Sequence, residues 1–142
     1  MSAPPLLQVD GLRMHFFTKA GVVKAVDDVS FRVERGEILG LVGESGSGKS
    51  MTGYSILGLV DPPGRIVEGR IVFDGTDLTQ LDAAAWRRIR GNRIAMIFQD
   101  PMTSLNPVLK VGTQIAEAVL AHNPKTSDDD ARNRAIELLA LV

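Results

Sequence analysis

The chain has 142 residues, enough for one domain with a hydrophobic core, and its 44% hydrophobic and 23% charged residues are ordinary proportions for a soluble globular protein. A formal net charge of −1 gives no general attraction to nucleic acid or to an anionic membrane, so we expect no nucleic-acid partner. The sequence has no cysteine for disulfides or thiolate metal sites, no signal-peptide pattern at its start and no apolar run of about 18 residues, which predicts a soluble, cytoplasmic protein.

The first part of the chain predicts an antiparallel sheet. Residues 6–17 and 22–33 have the pattern of two strands joined by a turn at 19–21. In the second strand, apolar residues at positions 29, 31 and 33 alternate with polar ones, which indicates one buried face and one solvent-facing face. We therefore predict an antiparallel β part over residues 6–37.

A glycine-rich loop follows a short apolar run. Residues 38–42 predict a buried strand, and residues 51–60 predict a helix that begins near Gly48. Between them the sequence matches G-x-x-x-x-G-K-[ST], the phosphate-loop pattern of nucleotide-binding proteins. The residues predicted to contact a nucleotide here are Gly43, Glu44, Ser45, Gly46, Ser47, Gly48, Lys49, Ser50 and Met51.

The backbone and two side chains supply the chemistry of this pattern. Glycines allow successive N–H groups to point at a phosphate, and the start of a helix adds the positive end of its dipole. We predict that Lys49 contacts the β- and γ-phosphates and that the Ser50 hydroxyl binds Mg²⁺. An ordinary glycine turn that binds nothing has the same composition, but the strand before it and the helix after it favour phosphate binding.

The middle of the chain predicts short elements separated by breakers. Residues 61–64 (Asp-Pro-Pro-Gly) are typical of a segment that ends the preceding helix. Residues 69–73 predict a strand that ends at an Asp-Gly turn, and residues 83–90 predict a helix. Residues 94–98 form a second continuous apolar run, which is typical of a central strand covered on both faces.

The last part of the chain predicts two helices. The first has an apolar stripe, and the second begins at Thr126 or Ser127, followed by three aspartates that suit the positive end of a helix. The apolar stripe of the first comprises Val111, Ile115, Ala118 and Val119. That of the second comprises Ala131, Ala135, Leu138, Leu139 and Val142.

A second motif distinguishes among phosphate-loop proteins. Gln99 ends the apolar run 94–98, and a proline-bounded loop, Asp-Pro-Met-Thr-Ser-Leu-Asn-Pro, follows it. An amide oxygen at the end of such a strand can meet Mg²⁺ or an attacking water, although an ordinary Asp-Pro turn gives the same pattern. Together with the glycine loop, this motif resembles the ATP-binding subunits of oligopeptide and dipeptide importers of the ABC transporter family, from about Leu6 to Val142.

The resemblance implies an α/β fold and roles for particular residues. It implies a P-loop NTPase (ABC ATPase) core with a mixed sheet over residues 38–100, after the antiparallel β part, and the start of a helical subdomain over 101–142. Gln99 would contact Mg²⁺ and sense the γ-phosphate, so Lys49 and Gln99 are the catalytic candidates and Ser50 and Gln99 the metal candidates. An aromatic residue of the early sheet would stack on adenine; Phe16 is our candidate and Phe17 the alternative, and core packing suits either residue equally well.

The resemblance also implies cofactors and partners. These are ATP, Mg²⁺, a second ABC ATPase domain, and membrane-spanning permease subunits that hold the protein at the inner face of the cell membrane, with an extracytoplasmic solute-binding protein as an indirect partner. The family's signature motif, acidic Walker B strand end and switch histidine are not found, and His15 and His122 are expected at the surface. We therefore expect the N-terminal part of such a subunit, with sheet edges exposed beside 39–42 and 94–98 and negligible ATP hydrolysis by these 142 residues alone, so that enzymatic activity of this chain stays open.

Other functions fit parts of the same sequence. The main alternative is a non-catalytic truncated remnant with weak or no nucleotide binding. A small GTPase would match Asp-x-x-Gly at residues 61–64, but that match lies at the end of the loop helix and no Asn-Lys-x-Asp follows. A nucleotide kinase lid or a nucleic-acid contact would use the arginines around Trp86, although such a run is usually a solvated helix face. Those arginines are Arg87, Arg88, Arg90 and Arg93.

Overall fold

The computed structural model describes residues 4–99 and 104–142, and the chain divides into two compact units, residues 1–90 and 91–142. The first unit contains β1 (Leu7–Thr18), β2 (Gly21–Val33), α1 (Lys49–Ile56), β3 (Gly64–Phe73), β4 (Thr76–Asp77), a 3-10 helix (Leu78–Gln80) and α2 (Ala83–Ile89). The second contains α3 (Val111–His122) and α4 (Asp128–Ala140). Within the described ranges, none of the helices has the length and apolar character needed to cross a membrane.

The first unit is built on a sheet with the strand order β2-β1-β3-β4, in which every pair is antiparallel. The predicted β1–β2 hairpin is confirmed: Thr18 lies opposite Gly21, and its hydroxyl donates to the Gly21 carbonyl oxygen at 2.9 Å. β3 starts at Gly64, five residues earlier than the sequence predicts. The sequence predicts that this strand begins at Gly69, whereas in the structure the strand runs through Gly69.

Gly69 is the centre of a bulge between β1 and β3. The register shifts between Asp10 and Arg13, so Gly11 and Leu12 stand opposite Gly69 alone. Gly69 has a φ of +96°, and a Cβ there would lie 2.5 Å from the Gly11 carbonyl oxygen. A glycine is therefore required for the two backbones to approach, which is how a residue that weakens a strand comes to lie inside one.

The buried core of the first unit joins the sheet to α1. Its apolar members are Val9, Leu12, Met14, Val26, Leu57, Ile71 and Leu78. From α1 itself, Thr52 and Ser55 are buried, and their hydroxyls donate to the carbonyl oxygens of Gly48 at 3.0 Å and Met51 at 2.7 Å. These bonds satisfy both hydroxyls, so a helix with small polar residues can pack against the sheet without a desolvation penalty.

The two predicted buried strands, 38–42 and 94–98, are wrong for the described residues. Neither run forms a strand ladder, apart from a single bridge residue at Ile94. Ile38 and Ile97 are each 98% exposed, and Val42 is 90% exposed. A strand exists only through hydrogen bonds to a neighbour, and apolar composition shows that a segment suits burial without supplying that neighbour.

The second unit confirms the predicted helices and corrects their apolar stripes. Ser127 caps α4, its Oγ accepting from the Asp130 N–H at 3.1 Å. The buried residues are Ala116 of α3 and Ala131 and Ala135 of α4, whereas Val111 and Leu139 are exposed. Small alanines let two helices approach closely, so the buried line follows them rather than the bulkiest apolar residues.

Candidate phosphate-binding site

The glycine loop, residues 43–50, meets α1 at Gly48, which has a φ of 89° and is the N-cap of that helix. A Cβ at Gly48 would lie 2.3 Å from the Ala25 carbonyl oxygen of β2. Within the loop, the Ser47 N–H donates to the Glu44 carbonyl oxygen at 3.2 Å. Glycine at position 48 therefore allows the start of α1 to approach the edge of β2 closely.

The side chain of Lys49 folds back over this loop. Its Nζ donates to the carbonyl oxygens of Gly43 at 2.7 Å and Glu44 at 2.6 Å, and to the Ser47 Oγ at 3.3 Å. The ammonium group is thus held at the loop by three acceptors, although the lysine side chain carries up to four rotatable bonds. Its charge lies where a ligand of the loop would meet it.

The N-terminus of α1 has free hydrogen-bonding capacity. Among the described residues no side chain caps it, and its first turn carries no acidic residue. The first intrahelical bond runs from the Thr52 N–H to the Gly48 carbonyl oxygen at 2.8 Å, and Lys49, Ser50 and Met51 precede Thr52. First-turn N–H groups without an intrahelical acceptor, beside a held ammonium group, suit an oxyanion such as a phosphate.

The two aromatic candidates differ in their surroundings. Phe16 lies opposite Gly64, and a Cβ on that glycine would be 2.7 Å from the Phe16 ring. Phe16 shares its face of β1 with buried Met14, whose partner Val26 lies beside Gly48, so this is the face that the glycine loop approaches. Phe17 points to the other face, where the Arg65 guanidinium carbon lies 4.2 Å from its ring centroid.

Gln99 is exposed and belongs to the second unit, so its predicted role at the nucleotide stays a prediction. The residues directly after it, 100–103, lie outside the described residues. Farther along the same loop, the Gln114 side chain accepts from the Asn106 N–H at 2.8 Å and donates to the carbonyl oxygens of Asn106 at 3.0 Å and Leu109 at 3.1 Å. Sequence reasoning missed Gln114; a long amide side chain in the first turns of α3 was the available signal.

The two histidines are half-buried rather than surface residues. The Nε2 of His15 is buried and has no hydrogen-bond partner among the described residues. The His122 ring lies 2.8 Å from the position of a Cβ on Gly91. Both histidines are therefore less exposed than the sequence predicts. Across residues 4–99 and 104–142, no group of three His, Cys, Asp or Glu residues could hold a metal ion.

The three arginines near Trp86 in the first unit do not form a common surface. Arg87 and Arg88 are exposed on α2, whereas Arg90 turns toward the end of α1. Its Nε donates to the Leu57 carbonyl oxygen at 2.7 Å, its Nη2 donates to the Gly58 carbonyl oxygen, and its guanidinium carbon lies 4.6 Å from the Trp86 ring centroid. This contact of Arg90 was not predicted, because sequence spacing does not show which helix end an arginine reaches.

The sequence matches known proteins along nearly its whole length. The dipeptide transport ATP-binding protein DppD of Lactococcus lactis subsp. cremoris (strain MG1363) is 49% identical over 142 residues, covering 100% of this chain and 41% of that protein. The oligopeptide transport ATP-binding protein AppD of Bacillus subtilis (strain 168) is 49% identical over 138 residues, covering 96% of this chain and 42% of that protein. The chain thus spans less than half the length of these curated relatives.

Solved structures show the same fold. A dimeric bacterial ABC transporter cassette aligns with a TM-score of 0.79 at 24% identity, covering 94% of this chain and 56% of that chain. A dimeric ATP-binding cassette in a post-hydrolysis state, bound to ADP and Pi, aligns with a TM-score of 0.76 at 23% identity, with the same coverage. The ABC transporter family model matches residues 26–142, which include the glycine loop, Gln99 and both helices of the second unit. The chain belongs to the ABC transporter family.

Proposed function

We propose that the chain is the N-terminal part of the ATP-binding subunit of a peptide-importing ABC transporter, with residues 43–51 binding the phosphates of ATP. The relatives named as dipeptide and oligopeptide transport ATP-binding proteins support this, since they match 100% and 96% of the chain at 49% identity. The whole protein would couple ATP binding and hydrolysis to solute uptake.

The observation that carries the proposal is the position of Lys49. Lys49 is the first residue of α1, directly after the N-cap Gly48. Its ammonium group donates to the carbonyl oxygens of Gly43 and Glu44. A charged donor and the positive end of a helix converge there, which favours a polyanion over a neutral ligand. Glycine at position 43 also leaves room inside the loop, because a Cβ there would lie 2.5 Å from the Ser47 Oγ.

The residues present fit a magnesium–nucleotide complex. Ser50 is exposed in the first turn of α1, next to the amides proposed to bind phosphate, and we propose that its hydroxyl binds Mg²⁺. The Gln99 amide oxygen, which belongs to the second unit, is proposed as a further ligand of the ion from the family resemblance alone. The ion, when bound, neutralises charge on the β- and γ-phosphates. We propose Phe16 as the residue that stacks on adenine, since it lies on the face of β1 that the glycine loop approaches.

The proposed partners follow from the function of the relatives. A second ABC ATPase domain would complete the assembly, as the dimeric cassettes suggest. Permease subunits would hold the protein at the inner face of the cell membrane, and an extracytoplasmic solute-binding protein would deliver the peptide to them.

Titration calorimetry with ATP and Mg²⁺ tests the proposal. We expect Lys49→Ala to weaken ATP binding by about tenfold or more, because a charge-assisted contact to phosphate is lost. Lys19→Ala is the matched control, since Lys19 is an exposed lysine in the β1–β2 turn, and it should bind as the wild type does. Equal affinities for the two variants would contradict phosphate binding by the loop.

The second candidate function is a non-catalytic remnant with weak or no nucleotide binding. The exposure of the runs 38–42 and 94–98 favours it, because 38–42 leads directly into the glycine loop and has no strand neighbour among the described residues. A folded wild-type chain that binds no ATP in the same titration would support the remnant.

A further inference from the structure

We propose that Arg90 is a positioning residue for the phosphate loop: it holds the C-terminal end of α1, so that the N–H groups at the other end stay in place for phosphate. This inference rests on the proposed function of the loop. It adds the C-cap residue of α2, which touches neither the loop nor the expected ligand.

The helix that would carry the phosphate is weak by itself. α1 has only eight residues, Lys49–Ile56, and includes Gly53 and Thr52, which both disfavour helix. Isolated helices shorter than about 12 residues are marginal in water, so α1 depends on contacts from elsewhere in the fold. Its last turn carries no basic residue to offset the negative end of the dipole.

The C-terminus of α1 satisfies only part of its carbonyl groups by itself. Gly58 has a φ of +60°, which turns the chain at the end of the helix. The Gly58 N–H donates to the Ser55 carbonyl oxygen at 3.1 Å, and the Leu59 N–H donates to the Tyr54 carbonyl oxygen at 2.8 Å. The carbonyl oxygens of Leu57, the C-cap residue of α1, and of Gly58 accept from the Arg90 guanidinium. Arg90, the C-cap residue of α2, thus supplies the cation that α1 lacks.

Trp86 fixes the guanidinium in this position. It stacks on the Arg90 guanidinium from the preceding turn of α2, at 4.6 Å from ring centroid to guanidinium carbon. A Cβ on Gly58 would lie 2.7 Å from the Trp86 ring and 2.8 Å from the Arg90 Nη2. The end of α1, the Arg90 guanidinium and the Trp86 ring are therefore in close contact. A planar guanidinium group with two donors fits this space better than a lysine ammonium group does.

Both ends of α1 are consequently held by other elements. Gly48 lies against the Ala25 backbone at one end, and Arg90 binds the other. A helix of this length spans about 12 Å, so freedom at the C-terminus becomes displacement of the first-turn N–H groups. Such displacement weakens phosphate binding, because aligned donors act only over hydrogen-bond distances.

The test compares Arg90→Gln with Arg88→Gln, which changes an exposed arginine of α2 two residues earlier. ATP affinity is measured by calorimetry, and amide hydrogen exchange is measured over α1 and over the sheet, with and without ATP and Mg²⁺. We expect Arg90→Gln to weaken ATP binding by about tenfold and to remove the protection of the first-turn amides by ATP, while β1–β3 stay protected. Combined with Lys49→Ala, its effect should be less than additive, since both variants act on the same phosphate contact.

Several results would overturn the inference. One is an Arg90→Gln protein that binds ATP as tightly as Arg88→Gln, and another is unchanged exchange in α1. If Arg90→Gln does not fold, Arg90→Lys decides: it keeps the charge and loses the fork, so an intermediate affinity is expected and wild-type affinity contradicts the role. If the wild type binds no ATP, the proposed function fails, while the exchange of α1 without nucleotide still shows whether Arg90 holds the helix.

Discussion

Gly46 and Gly48 both have a positive φ, of 81° and 89°, but only Gly48 lies against another part of the chain. A Cβ at Gly48 would meet the Ala25 carbonyl oxygen at 2.3 Å, whereas a Cβ at Gly46 has nothing within 4 Å. The two glycines of one motif therefore do different things. Gly46 supplies conformational freedom, and Gly48 also supplies space between the loop and β2.

This difference predicts unequal costs of substitution. Gly46→Ala and Gly48→Ala share the strain of a left-handed backbone, but Gly48→Ala adds a backbone clash, so we expect it to lower the free energy of unfolding by about 1–3 kcal/mol more. Urea denaturation of the two variants measures the difference. Equal midpoints and slopes would mean that the loop moves away from β2 at little cost.

The sequence predicts which residues form the site, whereas it does not predict what surrounds them. The phosphate-loop pattern names residues 43–51, because the chemistry of that loop is local and depends on glycines, a lysine and a helix start. The contacts of Gly48 with Ala25 and of Arg90 with Leu57 join residues 23 and 33 positions apart. Such contacts depend on how the elements pack, which a single sequence does not express.

At the scale of elements, the connection from β4 to the 3-10 helix depends on one carboxylate. Asp77 accepts from the Thr79 N–H at 3.0 Å, the Thr79 hydroxyl at 2.6 Å and the Arg70 Nε at 3.0 Å. Partial burial raises the pKa of Asp77, but the hydrogen bonds from Thr79 and the charge of Arg70 outweigh it, so the pKa lies below its ordinary value. The ionised carboxylate therefore stabilises the folded state.

A pH-dependent stability difference follows for Asp77→Asn. Because the folded-state pKa is lowered, the contribution of the carboxylate is complete above the unfolded-state pKa and is lost as the pH falls through the folded-state pKa. We expect the variant to be less stable by about 1 kcal/mol at pH 7 and to converge with the wild type in acid. Thermal unfolding from pH 7 to pH 3 measures this.

Arg70→Gln is the companion variant, since it removes only the ion pair of a largely exposed arginine. We expect a smaller effect than that of Asp77→Asn, because exposed ion pairs contribute little. A larger effect of Arg70→Gln would show that the ion pair, rather than the cap on Thr79, stabilises this turn.

The sequence predicts correctly those elements that depend only on residues within a short segment. The β1–β2 hairpin, α2 and the Ser127 start of α4 each depend on local alternation, turn residues or capping. The runs 38–42 and 94–98 failed because a strand needs a partner that composition does not provide. β3 was predicted too short, since the bulge at Gly69 is defined by Gly11 on another strand.

At the scale of the whole molecule, the runs 38–42 and 94–98 form no strand ladder among the described residues and place large apolar side chains in solvent. Ile38, Val42 and Ile97 are each at least 90% exposed. Exposed apolar segments without strand neighbours favour association between copies of a chain. Residues that a core strand would bury thus favour association of this 142-residue chain in solution.

We therefore expect the 142-residue chain to self-associate as its concentration rises, and Val42→Lys to reduce this association. Val108→Lys is the control, because Val108 is 87% exposed but lies in a different loop. Sedimentation velocity at several concentrations measures both variants. A monomer at every concentration, or equal effects of the two substitutions, would contradict a role for the exposed residues of 38–42 and 94–98.

The strand order has a consequence for how the chain is made. β1 lies between β2 and β3 in the sheet, yet the glycine loop and α1 are synthesised between those two neighbours. On the ribosome, β1 and β2 can pair as soon as the hairpin emerges, but β1 waits for its second neighbour until Phe73 has been translated. During that interval the Ala25 backbone of β2 is already available to Gly48. Translation through β3 completes the pairing of β1, and Arg90, which binds the other end of α1, is translated only after that.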